Sequence, residues 1–199
     1  MRVRPASGAL AIDVALKAAL VSLLVFAAAR QDLPQFHNKS MTGRAIGYPL
    51  AALIVPIVWF VVSRRRRLRY PVAVDILVVL PFVIDMAGNA ANLYDTISWW
   101  DDVNHFVNWA ILVAGFGVLL LSTSLDRWPI FGLAVGFGAV TAILWELLEY
   151  VTFIRHSPEL TTAYHDTLGD LALGLLGSVV AGLLVALLGR PARVEEAAA

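Results

Sequence analysis

The chain has 199 residues, 59% of them hydrophobic and 15% charged, with a mean hydropathy of +0.76, fifteen basic residues against fifteen acidic ones and no cysteine. Soluble domains average about 45–50% apolar and about 25% charged residues, so this apolar excess cannot be hidden in one core of such a size and belongs in a bilayer. Absence of cysteine excludes disulfides, thiolate metal sites and cysteine nucleophiles, and zero net charge without a basic aromatic surface argues against a nucleic-acid partner.

Six stretches reach the roughly 20 apolar residues that a crossing needs, which predicts an all-α, polytopic membrane helix bundle in a single domain. The first, about 10–29, follows Arg2 and Arg4 and ends in Ala27-Ala28-Ala29, so it reads either as a retained helix or as a secretory signal peptide. Asp13 and Lys17 lie one turn apart in it and are expected to pair. The second, about 45–63, is uncharged and runs into Arg64, Arg65, Arg66, Arg67 and Arg69, a stop-transfer anchor. The third, about 71–92, carries Asp75 and Asp85, which must face protein or water. The fourth and fifth, about 103–122 and 128–150, are uncharged until Glu146 apart from His105. The sixth, about 167–189, carries Asp170, and the tail from Arg190 with Pro191 is expected to fray.

Alternating six crossings from an inside N-terminus puts Arg2, Arg4, the Arg64–Arg69 cluster, Arg127, Arg190 and Arg193 on one side. Only Arg30, Lys39, Arg44 and Arg155 fall on the other, so both termini are expected to be cytoplasmic. Trp99, Trp100, Trp145, Tyr94 and Tyr150 then mark an outer aromatic belt, and Trp59, Tyr70 and Trp128 an inner one. Gly132-x-x-x-Gly136 and the stripe Gly174, Ser178, Gly182 are read as close-packing surfaces. No internal repeat is visible.

The intramembrane polar residues cluster by depth. Asp85, Asn89 and Asn92 share a face at the end of the third span, with Tyr94 and Asp95 beyond it. Asp101, Asp102, Asn104, His105 and Asn108 open the fourth, Glu146 and Glu149 close the fifth, and His165, Asp166 and Asp170 open the sixth. All sit at the outward ends of their helices. With Arg155 the one nearby outer cation in sequence, these acids need protonation, water or a bound cation. Helix bundles build metal sites from carboxylates and imidazole at i, i+3 and i, i+4, so Asp85, Asp101, Asp102, His105, Glu146, Glu149, Asp166 and Asp170 are the candidate metal ligands. Such donors suit Mg²⁺, Mn²⁺, Ca²⁺ or iron, with Zn²⁺ also admissible.

Helix capping competes with ligation for Asp101, Asp102 and Asp166, because acids near helix N-termini are favoured by the dipole. Asn89, Asn92 and Asn108 read as interhelical hydrogen-bond donors, and His37 and His156 as solvated loop residues. Capping does not explain Glu146 and Glu149 at a C-terminal end or Asp85 and Asp170 within their spans. Those four and His105 form the leading set, with His105, Glu146 and Glu149 as candidate catalytic groups and His165 as a second acid–base candidate.

The strings Asp85-Met-Ala-Gly-Asn89, Asn92-Leu-Tyr94-Asp95, Trp100-Asp-Asp-x-x-His105, Trp145-Glu-Leu-Leu-Glu149 and Tyr164-His-Asp-Thr-Leu-Gly-Asp170 resemble the YjdF-type family of uncharacterised bacterial inner-membrane proteins over about residues 75–182. The resemblance covers the last four spans and implies a multi-pass inner-membrane protein, without supplying a reaction. A looser likeness to VanZ-like membrane proteins transfers no residues.

Three functional expectations stand side by side. One is a metal-dependent enzyme acting on a lipid or lipid-linked headgroup at the outer leaflet. Another is a cation- or proton-coupled carrier using the acids as transport ligands, which the missing repeat argues against. The third is a non-catalytic subunit whose polar layer joins helices. Membrane lipids are the expected partners under each, and the sequence assigns no oligomeric state.

Overall fold

With no water in the hydrocarbon core to satisfy backbone amides, an apolar chain of this kind must bond its backbone internally, and helices do so within each segment. A computed structural model describes residues 7–65 and 68–189, and among these there is no strand. Seven helices form: α1 Ser7–Ala29, α2 Met41–Ser63, α3 Val72–Ala90, the single turn α4 Leu93–Thr96, α5 Trp100–Leu120, α6 Arg127–Thr152 and α7 Ala163–Leu188. All but α4 lie in segments long and apolar enough to cross a membrane. Arg2, Arg4, Arg66, Arg67, Arg190, Arg193 and the tail lie outside the described residues.

Two three-helix groups share one contact plan. In each, the first and third helices make the most extensive contact, α1 with α3 and α5 with α7, and the middle helix, α2 or α6, packs against both. The groups meet where α3 packs on α5. Leu20, Leu24, Ala27, Tyr48, Ala52, Val79 and Met86 fill the first core, and Val113, Ala134 and Ala181 the second. Because α4 adds no crossing, α5–α6–α7 runs inverted relative to α1–α2–α3. The sequence carries no visible trace of this repetition, which lies in helix packing.

The first group contains its own charged network. Lys17 Nζ lies 2.9 Å from Asp13 Oδ2 and also bonds Asp75, which accepts from the Tyr70 hydroxyl as well. Asp75 and Asp13 are buried, so this network pins α1 to α3. Burial and the Asp75 carboxylate raise the Tyr70 phenol above its ordinary range, keeping it a donor.

Three expectations are corrected. α2 begins at Met41, not near Ala45, so Arg44 lies within its first turns. A Cβ on Gly132 or Gly136 would meet nothing within 4 Å, so that pair faces open space, whereas one on Gly177 would lie 2.2 Å from the Phe106 carbonyl oxygen and one on Gly138 2.1 Å from Ser178 Oγ. The close approach of α7 thus runs through Gly138, Gly174, Gly177 and Ser178. Trp99, Trp128 and Tyr150 stay exposed as belt residues, but Trp145 stacks on Tyr48 with centroids 6.4 Å apart, and Trp100 abuts Gly88.

Candidate functional site

The polar ends of α2, α3, α5, α6 and α7 meet in one layer, and their side chains sort into two clusters. The first is centred on Asp85. Asn92, left-handed at φ 60°, turns the chain after α3 so that α4 folds back and the Tyr94 hydroxyl donates to Asp85 Oδ1 at 2.9 Å. Asparagine tolerates this conformation better than most residues. The Tyr48 hydroxyl donates to Asp85 Oδ2 at 2.6 Å, and Arg44 supplies Nε at 2.9 Å and Nη2 at 3.4 Å. Asn89 Nδ2 adds a longer bond at 3.3 Å. Burial and the Asp85 carboxylate hold the Tyr94 phenol well above its usual range.

Sequence spacing placed Asp85 among the metal ligands, but Arg44 and two tyrosines already saturate it. Arg44 also donates to the Lys39 carbonyl, and Lys39 itself pairs with Asp95 at 2.7 Å. The expectation that this layer had few basic partners was therefore incomplete. Arg44 was missed because hydropathy starts the second span after it, and Tyr48, inside that span, because nothing in its own chemistry sets it apart from a packing aromatic; their i, i+4 spacing is the signal that an earlier start reveals.

The second cluster surrounds His105, which is 8% exposed. Its Nε2 lies 3.6 Å from Asp170 Oδ1 and 3.7 Å from Asp101 Oδ1, and its Nδ1 lies 3.8 Å from Glu146 Oε1. Ligand atoms of Asp101, His105 and Asp170 lie within 4.8 Å of one another, as do those of His105, Glu146 and Glu149. Five of the eight proposed ligands are thus gathered around one ring. Asp102 and Asp166 are exposed, in the first turns of α5 and α7, where the helix dipole accounts for them. His37, His156 and His165 are exposed as well.

The separations around His105 exceed the 2.7–3.2 Å of ordinary hydrogen bonds. They are closer to the spacing of two ligand atoms on one ion, about 3.4 Å for tetrahedral bonds of about 2.1 Å. His105 Nδ1 is buried without a hydrogen-bond partner, and an orphaned buried polar atom is costly. Asn104 donates to the Trp100 carbonyl and accepts from Asn108, whose own Oδ1 is also buried and unpartnered.

Both clusters line one cavity of about 490 Å³. Arg44, Asp85, Tyr94, Asp101, His105 and Glu149 form its polar end, while Ile54, Val78, Leu112, Phe137 and Leu144 line its apolar remainder.

A family model described as "Predicted membrane protein (DUF2238)" matches residues 13–191. The chain belongs to this family. The DUF2238 match runs through all six long helices, wider than the last four that the sequence motifs mark, and agrees with the YjdF-type resemblance. No curated protein and no solved structure matches the chain. Membership of DUF2238 therefore identifies a membrane protein in contact with lipid, and the chemistry has to be argued from His105 and its carboxylates.

Proposed function

We propose that the His105 cluster is a divalent-metal site serving chemistry on the polar headgroup of a membrane amphiphile. The observation that carries this reading is the buried, unpartnered His105 Nδ1 facing the buried Glu146 carboxylate. A neutral imidazole offers one lone pair and one N–H, so its two sides have different roles. Nδ1, with Glu146 and Glu149, would hold the ion. Asp170 and Asp101 flank the Nε2 side at 3.6 and 3.7 Å, where a carboxylate closing to hydrogen-bond distance would orient a metal-binding imidazole. Asp101 is 46% exposed at its side chain and Glu146 only 7%, so water can reach the Nε2 side, while a cation would satisfy the buried Nδ1 and Glu146 together. An ion there would neutralise phosphate charge and lower the pKa of a bound water.

Elemental analysis of protein purified in mild detergent without chelator tests this. Near-stoichiometric divalent metal is expected in the native chain and none in the Glu146→Gln, Asp170→Asn double variant. Glu149→Gln alone should abolish binding, whereas Asp170→Asn alone should weaken it about 10- to 100-fold. Metal retained in the double variant defeats the site, and a metal-free native chain that is fully folded defeats the metal altogether.

The inverted contact plan of the two groups favours a second reading, a cation- or proton-coupled carrier, because many transporters pair inverted repeats around a midplane site. The Asp13–Lys17–Asp75 network on α1 and α3 occupies the place in its group that Asp101, His105 and Asp170 occupy on α5 and α7. Electrogenic uptake into proteoliposomes, lost in Asp75→Asn and in Asp170→Asn alike, would support it; no uptake of any tested cation rejects it.

A further inference from the structure

The cavity beneath the polar layer has the form of an amphiphile's binding site. Ile54 on α2 and Leu144 and Leu148 on α6 line it and are 54%, 58% and 53% exposed, and α2 and α6 are not among the helix pairs in extensive contact. The cavity therefore opens sideways, between α2 and α6, into what would be lipid. Along α6 its lining runs from Glu149 to Phe137, a rise of about 18 Å at about 1.5 Å per residue. The hydrocarbon core of a bilayer is about 30 Å thick, so the cavity reaches from headgroup depth to near mid-bilayer, the depth of one leaflet's chains. Its volume falls within the range of small-molecule sites, about 300–1,000 Å³, and its apolar part offers water no partners.

We propose that this cavity holds one acyl chain of a bilayer phospholipid, admitted between α2 and α6, with its headgroup carried to the Arg44–His105 layer. This rests on the reading of that layer as a headgroup site, but the chain groove itself needs no metal. Tyr48 and Trp145 stack where the two helices meet, 6.4 Å between centroids, and would flank the glycerol region, where amphipathic aromatic rings are favoured. Ala51, on the wall opposite α6, is the smallest lining side chain in the groove and leaves room that a larger residue would fill.

Photolabelling tests this. The full chain is reconstituted into phosphatidylcholine–phosphatidylglycerol vesicles containing a phospholipid with a diazirine at mid-chain, irradiated, and mapped by peptide mass spectrometry. Adducts are expected on Val78 and Leu112, half-buried residues that face the cavity. Ala51→Phe should abolish them, while adducts on Val14 and Val21, on the exposed face of α1, persist. Ile54→Phe serves as a second blocking variant should Ala51→Phe fail to fold. Labelling confined to exposed residues, or adducts on Leu112 indifferent to both blocking variants, overturns the proposal. Metal content measured on the same samples separates the two readings: adducts on Leu112 without metal keep the groove and reject the metal site, whereas metal without those adducts rejects the groove alone.

Discussion

Arg44 illustrates what one residue does when a charge lies inside a bilayer. Its guanidinium and Asp85 are both largely buried, with side-chain exposures of 12% and 11%. Removing one partner of such a pair leaves an uncompensated charge, at a cost of about 3–5 kcal/mol, whereas replacing both with apolar side chains is often neutral. Arg44→Met should therefore destabilise the chain by that amount, and Arg44→Met, Asp85→Leu should recover most of it; unfolding by rising SDS fraction in mixed micelles reads both. A loss no greater than that of Arg30→Met, whose side chain is half exposed beside Asp32, would show that the pair does not hold α2 to α3. Arg44→Lys should not restore the native value, since an ammonium lacks the planar fork that reaches Nε and Nη2 contacts together.

At the scale of elements, hydropathy marked all six long helices, because length and apolar content are what the bilayer demands. It placed the start of α2 late, since hydropathy sees Arg44 as an end and cannot see the carboxylate that neutralises it. The convergence of Asp101, His105, Glu146, Glu149 and Asp170 was legible for a similar reason: i, i+3 and i, i+4 spacing fixes a shared face on each helix. Which faces then meet was not legible, and Gly132-x-x-x-Gly136 shows why. A small-residue motif states that close approach is permitted, and only tertiary packing states where it occurs. Gly177→Ala should cost about 1–3 kcal/mol by overpacking against the Phe106 carbonyl, since a backbone oxygen cannot rotate away. Gly132→Ala and Gly136→Ala should lose no stability in the same SDS titration and, as glycines inside a helix, gain up to about 1 kcal/mol. Equal losses at all three positions would place a packing partner on the outer face of α6. Gly177→Leu should further part α5 from α7, draw Asp170 away from His105 and lower the bound metal.

For the whole molecule, orientation decides which leaflet the polar layer serves. At the α2–α3 and α5–α6 connections lie Arg64, Arg65, Arg69 and Arg127, with Arg66 and Arg67 between them in sequence. The opposite side carries Arg30, Lys39, Arg44 and Arg155, but Arg30 is paired with Asp32, Lys39 with Asp95 and Arg44 with Asp85. Under the positive-inside rule, which counts the Lys and Arg of each side, the His105 layer is expected to face outward. A chain without cysteine allows this to be read from single added thiols. His156→Cys, exposed between α6 and α7, should react with a membrane-impermeant maleimide on intact cells, and Ser124→Cys, exposed between α5 and α6, only after permeabilisation. The reverse pattern would turn the layer toward the cytoplasm. The groove between α2 and α6 would then draw its acyl chain from the inner leaflet, with the arginine cluster on the outer side, and the headgroup chemistry assigned to His105 would have to be sought at the cytoplasmic face.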